Sequence, residues 1–376
     1  MKNIKKNNIL PKLPDNCNHH FDHALFLDLE TTGFSGTRNR LYLIGTAYTE
    51  NGALCTEQFF ADSLQEEPQL IAALDQLAKR FDTIVTFHGS RFDLPFLEKC
   101  RNRLQLASAD NDSKHLIDLY ELARSYRHIF GLENYKQKTL EQFLGISRKD
   151  RYSGGELVEI YQSYTKQPNK QEQEQLLAPL LLHNADDLTG MVRLLQLFDF
   201  DLFFQGGFTL KEHSVSDYRK LDGSCGKELS IICRLDSPLP AAVSCNNGCF
   251  YLHAAKEQAV LRVPLLEGTL KYFYPNYQDY YYLIEEDTAV HKSVAAFVEA
   301  AHRRKAKAAE CFSKKTGVFV PQYEEIVTPA LYTEYKAPVS YFEWTERFEQ
   351  DDALFKQFCL HMLTVLKKGI SFTAQQ

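Results

Sequence analysis

The chain has 376 residues, of which 44% are hydrophobic and 24% charged, and its net charge is −6. That length exceeds one small core and predicts two domains, while the acidic balance excludes a general polycation and leaves nucleic-acid contact to local basic patches. No run approaches the length of a membrane-spanning helix, so no membrane partner is expected.

Residues 1–10 carry lysines without an apolar stretch behind them, so 1–21 reads as a flexible tail rather than a signal peptide. Nine scattered cysteines suit reduced thiols better than a disulfide framework, which predicts a cytoplasmic location. Strands are predicted at 24–29, 40–48 and 53–60, joined by short turns such as Asn51-Gly52 into an antiparallel meander. Residues 26–33 read Phe-Leu-Asp-Leu-Glu-Thr-Thr-Gly. Strand alternation places Asp28 and Glu30 on one side and Leu25, Leu27 and Leu29 on the other. Two like charges on an apolar strand repel and resist desolvation, and a shared divalent cation would account for them.

A helix follows from about residue 67, with Pro68 in its first turn and Leu70, Ala73, Leu74 and Leu77 on its apolar stripe. Residues 83–87 form a buried strand, and a helix opens after Ser90 with Asp93 in its first turn. There the helix dipole alone favours a carboxylate. Segments 115–126, 135–145, 155–165 and 172–198 read as helices. The last contains His183-Asn-Ala-Asp-Asp187, in which Asp186 and Asp187 are neighbouring candidates. Three meander strands followed by helix–strand–helix units predict a ribonuclease H-like mixed sheet flanked by helices over 22–204.

Gln205-Gly206-Gly207 marks a boundary, and a smaller α+β domain is expected over 205–376. Its β-rich runs are 229–234, 248–254, 259–263, 269–274 and 279–284, with a tight turn at Asn246-Asn247-Gly248. Helices are predicted at 289–312 and 351–368. The first would bury Val294, Phe297, Val298 and Ala301 and expose Lys292, Arg303, Arg304, Lys305 and Lys307. Such a face is either solvated or a nucleic-acid surface. The tyrosines between 272 and 282 fit a half-buried sheet better than a base-stacking platform. Cys245 and Cys249 flank the turn without a second pair at zinc-knuckle spacing. Walker and Gly-x-Gly-x-x-Gly loops are missing, so ATP-driven and dinucleotide chemistry is not expected.

A strand Asp-x-Glu-Thr-Thr-Gly, then a strand–loop–Phe-Asp, then His-x-x-x-Asp on a helix resembles the three motifs of the DEDD 3′→5′ exonuclease superfamily. Arg40-Leu-Tyr-Leu-Ile-Gly45, His115-Leu-Ile-Asp-Leu-Tyr120, Lys138-Thr-Leu-Glu-Gln-Phe-Leu-Gly145 and Arg148-Lys-Asp-Arg-Tyr-Ser-Gly154 narrow the resemblance to its YprB-type ribonuclease H-like branch. The resemblance covers about residues 22–200. It implies that Asp28, Glu30, Asp93 and Asp187 are metal ligands and that His183 holds the general-base position. The family shows Tyr with three intervening residues there, or His with four; this chain has His with three. His88 stands where relatives show Asn.

Oxygen ligands suit Mg²⁺ or Mn²⁺, two ions of which about 4 Å apart support phosphodiester hydrolysis. Thr31, Thr32, Gly33, His88 and Arg91 are candidate substrate contacts, with Arg38, Arg40 and the cluster Arg148, Lys149 and Arg151 as further phosphate-binding candidates. The expected activity is 3′→5′ exonucleolytic cleavage of DNA or RNA from a single-stranded 3′ end. A nucleic-acid-binding protein without turnover and a structure-specific endonuclease are the alternatives. A helicase or repair partner is left open.

Overall fold

The computed structural model describes residues 1–11, 23–109, 113–219, 223 and 225–371. The chain divides into two compact units. The first holds Met1–Arg127, Gly131–Asp201 and Leu239–Ala241, and the second holds His128–Phe130, Leu202–Pro238 and Ala242–Gln376.

The first unit is built on a six-stranded sheet. Its strands are β1 (Lys2–Asn8), β2 (Ala24–Thr31), β3 (Leu41–Glu50), β4 (Ala53–Phe60), β5 (Thr83–Thr86) and β6 (His115–Asp118), in spatial order β1-β4-β3-β2-β5-β6. The meander β2-β3-β4 is antiparallel, whereas β5 and β6 are parallel to β2. Its helices are α1 (Glu67–Ala78), α2 (Asp93–Leu104), α3 (Leu119–Ser125), α5 (Gln137–Phe143), α6 (Gly154–Lys166) and α7 (Lys170–Leu194), while α4 (Arg127–Phe130) and α8 (Leu197–Phe204) cross the division between units. This is the ribonuclease H-like mixed sheet that the order of elements predicts.

Strand alternation decides what each face of β2 meets. Leu25, Leu27 and Leu29 pack with Leu70, Ile71 and Leu74 of α1 and Phe96 and Leu97 of α2. On the other face Tyr42, Leu43 and Phe60 pack with Leu157, Tyr161 and Tyr164 of α6 and Leu180 of α7. Asp28 and Glu30 belong to this second face.

Two expectations for this unit are corrected. Residues 2–8 are no tail: β1 pairs antiparallel with β4 along its whole length. Ile4 packs on the core beside Tyr164, and Lys2 donates to Tyr164 Oη over 2.7 Å. Its lysines suit an edge strand, where charge blocks further pairing. The remainder of the predicted tail, 12–21, lies outside the described residues. Residues 115–126 are not one helix. His115–Asp118 add to β5, and the Asp118 carboxylate then accepts from Tyr120 N over 3.0 Å as the cap of α3.

The second unit carries a five-stranded sheet of β7 (Phe208–Arg219), β8 (Cys225–Asn246), β9 (Tyr251–Phe273), β13 (Phe312–Gln322) and β14 (Ser340–Glu343), ordered β14-β13-β9-β8-β7. At the β8–β9 turn Asn247 Oδ1 accepts from Cys249 N and Phe250 N, and Asn246 Oδ1 from Gly248 N. The helix predicted at 289–312 is absent. That stretch instead gives β11 (Thr288–His291), α9 (Lys292–Ala295) and β12 (Arg303–Lys305), which flank β10 (Tyr280–Leu283) in a three-stranded sheet. Cross-strand pairing overrides the helical period here, because Arg303 and Arg304 lie over the rings of Tyr281 and Tyr282. Val294 and Phe297, predicted to face a core, are exposed. α10 (Glu346–Glu349) and α11 (Asp352–Lys368) complete the unit. No described helix is long and apolar enough to cross a membrane.

Candidate active site

The end of β2 is held from three directions. Tyr42 on β3 donates to Glu30 Oε2 over 3.4 Å. Asn184 on α7, fully buried, donates from Nδ2 to Asp28 Oδ2 over 2.6 Å, while its Oδ1 accepts from Gln58 Nε2 over 2.8 Å. That amide fits only because Gly45 stands opposite Asp28 in the β2–β3 register. A Cβ on Gly45 would lie 2.1 Å from Asn184 Oδ1. Gly45→Ala therefore displaces Asn184 from Asp28 and lowers stability by about 1–3 kcal/mol, the cost of overpacking. An unchanged denaturation midpoint in the variant would contradict this account.

Asp93 opens α2 and is buried, with hydrogen bonds from the backbone of Asp93 itself and of Leu29. The loop before it turns through His88, whose φ is +64°. Asp118, at the end of β6, pins this loop by accepting from His88 N over 2.8 Å and from Ser90 N over 3.1 Å.

α7 brings the remaining groups. One helical turn separates His183 from Asp187, and His183 Nε2 lies 3.2 Å from Asp187 Oδ2 and 3.6 Å from Glu30 Oε1. His183 Nδ1 lies 2.7 Å from Asp150 Oδ2, so the acceptor carboxylate assigns the proton to Nδ1. Arg148, nearly buried, donates to both oxygens of Glu141 over 3.0 Å and pairs with Asp187 Oδ1. Gln137 Nε2 donates to Asp187 O over 2.8 Å. The two adjacent aspartates thus diverge. Asp186 accepts from Lys149 N and Asp150 N, both over 2.7 Å, whereas Asp187 faces the other carboxylates. Ligand atoms of Glu30, His183 and Asp187 lie within 4.8 Å of one another.

This crowding shows in the acidities. Asp28 is pushed well above the usual carboxylate range by burial and then by the charges of Asp187, Glu30 and Asp93. Burial raises Glu30 to about 8, with His183 opposing and Asp187 reinforcing the shift, and burial raises Asp93 to about 7. For Asp187 the upward push of burial is outweighed by His183 and Arg148, which leave it below its ordinary value. Burial pulls His183 down, but Asp187, Glu30 and Asp150 outweigh it and lift the imidazole to about 9.

Carboxyls with raised values take up protons on folding. Their contribution is destabilising once pH exceeds the unfolded value near 4, and it grows until the folded values of about 7 and about 8 are passed. His183, raised to about 9, has the same sign at higher pH, since its stabilisation is lost as the imidazolium deprotonates. In chelator, the denaturation midpoint should therefore fall between about pH 5 and about pH 8, and Mg²⁺ should recover part of the loss at the upper end. A flat profile would refute the crowding. A half-buried group of mutually repelling oxygen donors, with Glu30 and Asp187 close enough to share one ion, fits a hard divalent cation.

Asp28, Glu30, Asp93, Asp187 and His183, predicted from the sequence as one site, are brought together through these contacts. Thr31, Thr32 and Gly33 follow directly on β2, but their polar atoms are engaged within the turn. Thr31 Oγ1 donates to Gly33 O over 2.8 Å, Thr32 Oγ1 accepts from Arg40 N over 2.9 Å, and the Asn39 side chain packs under Gly33. His88 is half-buried against the Tyr120 ring at 4.3 Å, and Arg91 is exposed with Glu121 at 3.0 Å. Arg148, expected among the phosphate-binding cations, is corrected: its guanidinium is committed to Glu141 and Asp187. The sequence reading missed the parts played by Asn184, Gln58, Asp150, Glu141 and Asp118. Asp150 and Glu141 sit in segments already singled out, and burial is what reveals their part.

Residues 25–198 match the sequence profile of the RNase_H superfamily. Among solved structures, the family B DNA polymerase of Pyrobaculum calidifontis aligns with a TM-score of 0.38 and 16% identity, covering 52% of this chain and 26% of the polymerase. Exonuclease I aligns with a TM-score of 0.31 and 14% identity, covering 56% of this chain and 55% of that enzyme. The zinc-bound E. coli exonuclease I complex with single-stranded DNA aligns with a TM-score of 0.27 and 14% identity, covering 57% of this chain and 55% of its own. The chain therefore spans about a quarter of the polymerase and just over half of exonuclease I. No curated protein matches it.

Proposed function

We propose that this chain is a metal-dependent nuclease that removes nucleotides from 3′ ends of single-stranded DNA or RNA. The observation that carries the reading is the convergence of Asp28, Glu30, Asp93 and Asp187, from one strand and two helices, into a cluster where desolvation, reinforced by mutual repulsion, pushes three of the four above the usual carboxylate range. Folding gains nothing from such a cluster. These four side chains are the proposed ligands of two Mg²⁺ or Mn²⁺ ions, which when bound polarise the phosphate and stabilise charge on the leaving oxygen.

The protein's own groups then have separable tasks. Asn184 orients Asp28, and Arg148 with Gln137 orients Asp187. Asp150 keeps the proton on His183 Nδ1 and leaves Nε2 facing the cluster. The upward pull on the imidazole comes from Asp187, Glu30 and Asp150. Sharing the first two carboxylates with cations weakens that pull, and Nε2 can then take the proton of the attacking water. Phe34, next to Gly33 and 92% exposed, offers a ring against which a terminal base can stack.

The test uses one oligonucleotide labelled at either end, incubated with Mn²⁺. Stepwise shortening of the 5′-labelled strand, with the 3′ label released at once as a mononucleotide, is the expected result. Cleavage of a circular strand would replace the reading with an endonuclease. Binding without cleavage across several metals would replace it with a non-catalytic binding protein.

A further inference from the structure

The second unit holds a groove of about 860 Å³ that the catalytic reading leaves unused. Its walls are the end of β9 with the following turn (Tyr272, Phe273, Tyr274, Tyr277) and the loop after β13 (Tyr332, Tyr335). Six aromatic rings in one concavity are more than a strand end needs. Part of their surface is spent internally: Phe273 packs edge-on to Tyr335 at 5.3 Å, and Tyr272 to Tyr274 at 5.2 Å. The rings are nonetheless not a closed core, since Tyr277 and Tyr335 stay 38% and 40% exposed.

The groove is preformed. Lys271 and Tyr332 exchange backbone hydrogen bonds of 2.9 and 2.8 Å, and Leu331 and Tyr341 bond likewise at 2.7 Å, which fixes the loop against the sheet. Leu331 is buried with Val339 and Tyr341 beneath it. A loop held this way spends little entropy on binding.

Its charge selects the class of occupant. Lys336 is exposed at the rim with Nζ 5.5 Å from the Tyr335 ring centre, whereas Lys271, outside the lining, is committed to the Phe312 ring at 4.3 Å. Lys336 is in no ion pair among the described residues. Glu325, the acid in the lining, accepts from Tyr332 Oη over 2.6 Å. Half-exposed rings beside an unpaired cation suit a chain of stacked planar groups on a polyanionic backbone. The volume falls within the range of about 300–1,000 Å³ typical of ligand clefts, enough for a nucleotide. We infer that this groove is a second, non-catalytic binding site for single-stranded nucleic acid, with Tyr277 and Tyr335 stacking on bases and Lys336 meeting a phosphate. The inference takes its ligand class from the nuclease reading of the first unit.

The test is binding of a fluorescent single-stranded oligonucleotide to the full chain in chelator, in an Asp28→Asn background so that nothing is cleaved. Tyr335→Ala and Tyr277→Ala should each weaken binding about tenfold, and Tyr335→Phe should restore it, because stacking needs the ring and not the hydroxyl. Lys336→Ala should lower the slope of affinity against salt by about one unit. Unchanged affinity in both alanine variants overturns the inference, as does a proline-rich peptide that binds the groove where the oligonucleotide does not. Metal-dependent cleavage, followed with Asp28 intact, fails or survives independently. Lost cleavage with intact groove binding sinks only the nuclease reading, and intact cleavage with unaffected binding in the ring variants sinks only the groove.

Discussion

Asp28→Asn should lower metal-dependent cleavage by about 10³-fold or more while leaving the melting temperature unchanged or slightly raised. The two halves of this result have one cause. Asp28 is half-buried and desolvated beside Glu30, Asp93 and Asp187, so its charge is a burden on the fold and is useful only to a cation. The asparagine keeps the shape, and its Oδ1 still accepts from Asn184 Nδ2. Activity and thermal unfolding measured on one preparation decide the matter. A variant with undiminished cleavage would remove Asp28 from the site. One that loses activity together with a large drop in melting temperature would make the carboxylate a structural group.

The second large effect is on stability. Arg148→Met should destabilise the protein by about 3–5 kcal/mol near neutral pH, the cost of leaving a buried carboxylate unpaired. Glu141 is fully buried, and its remaining hydrogen-bond donor is Gln137 Nε2 at 2.9 Å. Burial already raises Glu141 above its ordinary value, and loss of the guanidinium raises it further. A carboxyl raised in the folded state destabilises above its unfolded value, so the penalty should shrink as pH falls and Glu141 takes up its proton. Arg148→Met combined with Glu141→Gln should recover most of the loss. Denaturant unfolding of the wild type, both single variants and the double variant measures the coupling. A penalty independent of pH and unrelieved by Glu141→Gln would show that Arg148 acts through packing alone.

The acids of the candidate site were legible because each lies in a segment whose local pattern is strong. Alternation along β2 separates Asp28 and Glu30 from Leu25, Leu27 and Leu29, and it depends only on neighbours in the chain. The groups that hold those acids were not legible in their roles. Arg148 reads as a surface cation beside Lys149 and Arg151, and nothing local says that Glu141 will be buried against it. Asp118 reads as part of a helix, because four residues of parallel strand leave little periodic signal.

By itself the sequence determined the meander, most of the flanking helices, the order of the four carboxylates and the change of texture near residue 205. All of these follow from short-range periodicity and from residue types whose burial needs a reason. Tertiary structure decided what depends on pairing across distance. It turned Asp187 toward Glu30 and gave Asp186 to the backbone of Lys149 and Asp150. It placed Lys2–Asn8 on the edge of the sheet, and it broke the helical pattern of 289–312 by setting Arg303 and Arg304 against tyrosines of a neighbouring strand. In each case a long-range partner offered more than the local preference. For that reason the site's acids were visible in the chain, and the frame that holds them was not.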